Sequence, residues 1–184
     1  MNNRTDINTV IFRDAAPVDA GRISELFLGH IRGHHEYISH GEMQMGIAPD
    51  PDSIASDTEL KWRGYIDRRI GDREGNVILA LAAGEIIGFA VVQLGEDGGK
   101  RFGVLDDILV HSAHRGRGIG KSLLREVLGW LGDRGISYCN LESGRHNHFA
   151  HEFFQRQGFG LVSLTFYKVI NNTPEFDFGE EKTK

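Results

Sequence analysis

Residues 104–131, VLDDILVHSAHRGRGIGKSLLREVLGWL, put a strand, a basic glycine loop and a helix end to end, and few folds accept that order. Val104 to Val110 is apolar and rich in β-branched residues apart from Asp106 and Asp107. From Ile119 the apolar residues fall at 119, 123, 124, 127, 128 and 131, the spacing of one helical face. Arg115-Gly116-Arg117-Gly118-Ile119-Gly120 therefore lies where the strand becomes the helix. The first amides of a helix have no partners within it, and the helix dipole adds partial positive charge there, so an anion is favoured. Glycines let the backbone approach that anion and adopt positive φ, while Arg115, Arg117 and Lys121 supply full charges. A diphosphate suits such a nest.

A chain of 184 residues favours one domain, with a core over about 10–169 and a mobile tail over 171–184 that is too poor in apolar residues to extend it. A net charge of −5 and an isoelectric point near 6.0 argue against a nucleic-acid binder and favour cationic partners. The single cysteine, Cys139, excludes an internal disulfide and a four-cysteine metal site, and reads as a small core residue. MNNRTDINTV lacks the apolar stretch of a secretory signal, and Ala83-Gly84-Glu85 interrupts the longest apolar run, so a cytoplasmic protein without a membrane partner is expected. His30, His34, His35 and His40 are spaced for a shared helix face, but no carboxylate or cysteine pattern completes a metal site, and none is expected.

Around the central stretch the pattern alternates strands and helices. Thr9 to Arg13 reads as a strand, and apolar residues at 23, 26, 27 and 31 as a helix. Residues 33–57 read as loop with some helix, and Trp62, Tyr65, Ile66 and Ile70 as a second helix. Val77 to Ala82 and Ile86 to Leu94 form a hairpin turning at Ala83-Gly84, and the chain meanders through Glu96 to Lys100 into Val104. After the central helix, 136–142 is a strand expected to lie parallel to 104–110, because a strand, crossover helix and strand pair that way. His148 to Gln157 is a short helix and Leu161 to Val169 a last strand.

Other glycine loops fail on spacing. Gly120-Lys121-Ser122 is present, but Gly116 stands one residue too late for a Walker loop, and Gly116-Arg117-Gly118-Ile119-Gly120 is not the dinucleotide pattern. Arg115, Gly118 and Gly120 instead fill Arg/Gln-x-x-Gly-x-Gly/Ala, and with the acidic strand before and the helix after, the chain resembles the GNAT superfamily of N-acetyltransferases over about Val10 to Val169. Leu105-Asp106-Asp107-Ile108-Leu109-Val110 is most similar to the diamine and polyamine branch. The resemblance implies an α+β fold of the α/β sandwich type, a mixed sheet of about six to seven strands flanked by helices, with a splayed parallel pair. It implies acetyl-CoA as co-substrate, its pantetheine along Ile108, Leu109 and Val110, and its pyrophosphate held by Gly116, Arg117, Gly118, Ile119, Gly120 and Lys121. Asn147 and Ala150 match the family's Asn-x-x-Ala, with Asn147 either a pantetheine ligand or a helix cap.

An amine of pKa about 10.4 is protonated at neutral pH and needs a base before it can attack a thioester. Strand alternation sends Asp106 and Asp107 to opposite sides; by its match to the family's glutamate Asp106 is the candidate base, and Asp107 binds substrate charge or is structural. Phe154 stands where many members keep a tyrosine, and phenylalanine cannot protonate a leaving thiolate; Tyr167, His151 or water are the alternatives. By resemblance Glu42, Asp50, Asp52, Asp57 and Glu59 help choose a cationic acceptor. The expected reaction is acetyl transfer to a small-molecule primary amine by direct attack. A protein N-terminus or lysine, and a non-catalytic acyl-CoA sensor, stay open, as does a homodimer.

Overall fold

A computed structural model describes residues 9–168. Five strands make one sheet in chain order: β1 Val10–Asp14, β2 Gly75–Ala82, β3 Glu85–Asp97, β4 Lys100–Val110 and β5 Cys139–Leu141. The first four are antiparallel, and β5 alone runs parallel to its neighbour. The hairpin turns are two residues each, Ala83-Gly84 and Gly98-Gly99, and both residues of each have positive φ, as turns matching the twist of the strands require.

Helices α1 (Ala20–Ile31) and α3 (Thr58–Arg69) cover one face of the sheet; α4 (Ile119–Gly132) and α5 (His148–Arg156) cover the other. A single turn and a half, α2 (His40–Gln44), lies between α1 and α3. Each face has its own core. On the first, Phe27 stacks on fully buried Trp62 at 3.5 Å between ring centres, above Phe89 and Val91 of β3. On the second, Ile119, Leu123, Leu124, Val127 and Leu131 bury the face that their spacing predicted, against Ala90, Val92 and Leu105.

The sheet is smaller than the six to seven strands expected. Residues 161–168 form no regular structure, and Val162 and Phe166 are 91% and 88% exposed, so their apolar pattern has no face to bury against. Val169 and the tail expected over 171–184 lie outside the described residues. The strand expected over 136–142 shrinks to Cys139–Leu141, which pairs only with Gly103, Val104 and Leu105. Beyond Leu105, β4 runs on to Val110 with no strand paired on that side among the described residues. That opening positions everything that follows.

Candidate active site

A cavity of about 500 Å³ fills the opening between β4 and the chain after Leu141. Of the residues expected to act as base or to bind acetyl-CoA, all but Arg117 line it. The cavity joins a glycine loop at one end to a group of carboxylates at the other.

The carboxylates owe their arrangement to a bulge. Strands β3 and β4 pair from Asp97–Lys100 to Val92–Leu105 and resume at Val91–Asp107, leaving Asp106 without a partner. One extra residue resets the alternation of a strand, so Asp106 and Asp107 both serve the α1/α3 face rather than opposite faces. Asp106 is held on several sides there. Tyr65 Oη donates to its Oδ2 at 2.7 Å, Gln93 Nε2 donates to its Oδ1 at 2.8 Å, and Arg69 Nε lies 3.8 Å away. Burial pushes Asp106 above the usual carboxylate range, and the bonds from Tyr65 and Gln93 and the Arg69 charge pull the other way.

Asp107 is the opposite case. No hydrogen bond or ion pair reaches it among the described residues, and its Oδ2 is closed off from solvent. Burial pushes its pKa well above the usual range, and the neighbouring charges of Glu42 and Asp106 push it further in the same direction. A half-buried carboxylate whose shielded oxygen has no donor is a costly arrangement, and one with a raised pKa facing a cavity has the character of a proton acceptor.

Glu42 approaches from α2. Its Oε2 accepts from Ser39 N at 2.7 Å and from Ser39 Oγ at 2.6 Å, a reciprocal cap that fixes the short helix. The residue is 7% exposed and lines the cavity, and its Oε1 makes no hydrogen bond among the described residues. The other acids expected at an acceptor site are spent elsewhere. Asp50 caps its own turn through Asp52 N and Ser53 Oγ, Asp52 faces Arg145, Asp57 pairs with Lys61, and Glu59 lies by Arg32. Behind Ser143 of the wall stands Gly144, where a Cβ would lie 2.1 Å from the carbonyl oxygen of Glu36. Only glycine permits the loop after β5 to meet residues 36–38 this closely.

At the other end, Gly116 and Gly118 adopt φ of 75° and 78°, and Gly118 is the N-cap of α4. Both conformations favour glycine and leave the first amides of a fourteen-residue helix facing outward. Lys121 is exposed beside them. This suits a diphosphate, with one correction: Arg115 turns inward. Its Nε donates to Val110 O at 2.9 Å and its Nη2 lies 3.1 Å from His30 Nε2. Burial, and then the Arg115 charge, push His30 down to about 4, so its ring is neutral and can accept from the guanidinium. Arg115 thus braces the loop against β4 and α1.

Asn147 Oδ1 accepts from Ala150 N at 3.1 Å, so the capping role holds, and the cap leaves the amide nitrogen unused. Phe154 is 8% exposed, lines the cavity, and packs edge-on to Phe153 and Phe159. Neither Tyr167 nor His151 lines the cavity. The sequence reading missed the supports, His30, Tyr65 and Gln93, which lie in other elements and carry no local motif.

The model of the acetyltransferase (GNAT) family matches residues 38–159, from just before α2 to just past α5. The chain belongs to this family. Streptothricin acetyltransferase of Streptomyces lavendulae is 31% identical to this GNAT chain over 115 residues, 62% of this chain and 57% of that enzyme, so the chain spans little more than half of that relative's length. Among solved structures, a ribosomal-protein-alanine N-acetyltransferase from Brucella melitensis superposes with a TM-score of 0.61 at 20% identity, covering 89% of this chain and all of the other. A predicted acetyltransferase from Clostridium acetobutylicum, solved with acetyl-CoA, gives 0.66 at 14% identity over 88% of this chain and 96% of its own. At such identities the superpositions speak for the fold. The diamine and polyamine branch finds no support among these relatives.

Proposed function

We propose that this GNAT chain is an acetyl-CoA-dependent N-acetyltransferase acting by direct transfer on a small-molecule primary amine. The observation that carries the reading is one cavity with an unpartnered, solvent-shielded carboxylate, Asp107, at one end and the positive-φ glycine loop of α4 at the other. The streptothricin relative supports a small-molecule acceptor, since a sequence match says more about substrate than the fold does.

Acetyl-CoA, when bound, supplies an acetyl thioester. Gly116, Gly118 and the first amides of α4, with Lys121, hold the diphosphate, and the free side of β4 from Ile108 to Val110 receives the pantetheine arm as an added strand would be received. Asn147 offers the amide nitrogen that its cap leaves unused. Asp107, rather than Asp106, takes the proton from the acceptor ammonium, because the Asp106 oxygens are already engaged by Tyr65 and Gln93. The freed lone pair attacks the carbonyl carbon, a C–N bond forms as the C–S bond breaks, and solvent protonates the departing thiolate. Asp106 holds the bulge that aims Asp107.

Release of free thiol from acetyl-CoA across a panel of primary amines, with mass spectrometry of the products, tests the proposal. One acetylated amine per thiol is expected. Tight CoA binding without thiol release above the blank for any amine, peptide amines included, would instead make the chain a sensor.

A further inference from the structure

Asp107 and Glu42 are two carboxylates lining the cavity, and no ion pair among the described residues answers either, whereas Asp106 has Arg69 and Asp57 has Lys61. Each keeps an unpartnered oxygen, Oδ2 of Asp107 and Oε1 of Glu42, and Glu42 is more than nine-tenths buried. Their repulsion shows in Asp107, where Glu42 is the largest charge effect after burial. Of the arginines and lysines around the cavity, Arg115 is committed to Val110 and His30, Arg156 pairs with Glu152, and Lys121 lies on α4 beside the glycine loop. Glu142, just after β5, extends the acidic wall; its Oε2 would lie 3.8 Å from a Cβ on Gly41, next to Glu42, and its Oε1 lies 3.8 Å from Nδ1 of His40.

The reacting amine relieves only part of this charge. It must lose its proton to attack, and once Asp107 has accepted that proton, the Glu42 carboxyl still faces the cavity, 7% exposed and without an ion pair among the described residues. We infer that the acceptor carries a second cationic nitrogen besides the amine that reacts, and that Glu42, with Glu142 at the rim, holds it. Glu42 is then the specificity-determining residue. The Ser39 bonds fix its Oε2 and present Oε1 without side-chain reorganisation, which is how a single carboxylate discriminates one ligand from another. The inference rests on the N-acetyltransferase reading for its chemistry but not for its binding.

The experiment compares straight-chain α,ω-diamines, the monoamines of equal length, and amines whose far nitrogen is a trimethylammonium that cannot be acetylated. Each is measured in thiol release, and each by calorimetry against the CoA-bound protein. Both dications should exceed the monoamine in kcat/KM and in affinity by about tenfold or more, as a desolvated charge pair requires. Glu42→Gln keeps an oxygen for the Ser39 cap and should reduce that ratio to near one, with the KM for acetyl-CoA unchanged. Glu142→Gln, outside the buried core, should reduce it partially and serves if the first variant folds poorly. Equal rates for dications and monoamines, or a preference that survives both variants, overturns the inference while leaving the enzyme reading intact. Preferential binding of dications without any thiol release would do the reverse.

Discussion

Asp107 concentrates the cost and the use of this site in one side chain. Its pKa is raised in the folded protein above the ordinary value of about 3.9, so the folded state holds the proton more tightly than the unfolded chain. Stability contributed by the protonated form is therefore present at low pH and is lost as pH rises from about 4 through the folded pKa. Asp107→Asn should melt at a higher temperature than wild type at neutral pH, and the gap should close as pH falls towards 4 in a melting series. The same variant should lower kcat/KM at neutral pH by about a hundredfold or more and lose the rise with pH that ionisation of Asp107 gives the wild type. Above that range its rate should climb only as the free amine does. A higher melting point with undiminished rate would remove Asp107 from the chemistry. Phe154 gives a contrasting case. A tyrosine there adds a hydroxyl to a ring that is 8% exposed and packed edge-on to Phe153 and Phe159, and should cost about 1–3 kcal/mol in urea unfolding without raising turnover.

At the scale of elements, the junction of β4 and α4 was readable because both periodicities are local. The buried face of α4 and the loop glycines stand where spacing puts them. Gly118→Val forces a branched residue to φ 78° at the N-cap and should weaken CoA binding at least tenfold by calorimetry, with near-native circular dichroism. The bulge at Asp106 was not readable. It is a property of the pairing of two strands, and nothing in Leu105-Asp106-Asp107-Ile108 marks which residue is extra. The family match assigned the base to Asp106 by position in a motif, whereas Tyr65 and Gln93, each in another element, occupy that side chain. Gly144 is a further case, unremarkable in sequence, yet its substitution by alanine meets the carbonyl oxygens of Glu36 and Ile38. Gly144→Ala should therefore loosen the acceptor wall, raising the acceptor KM several-fold with acetyl-CoA KM unchanged.

For the whole molecule, the two cores on opposite faces of one sheet tie the halves of the site together. The α1/α3 core supplies Tyr65 and the acceptor wall, and the α4/α5 core supports the glycine loop. Trp62 is fully buried in the first of these and stacked on Phe27, so Trp62→Ala should cost about 3–5 kcal/mol of unfolding free energy. Local pattern was enough to specify the order of elements from β1 to α5, the hairpins, the parallel crossover, the glycine loop and family membership, because helix and strand periods and turn chemistry act over a few residues. The tertiary structure alone decided that β4 and β5 part after Leu105, that the bulge turns both aspartates to one face, and that Arg115 braces against His30. It also decided that Glu42, of five candidate acids, faces the cavity while the others find partners nearby. Each depends on contacts between residues far apart in the chain, and the burial and charge pairing that set a carboxylate's chemistry exist only once those contacts are made.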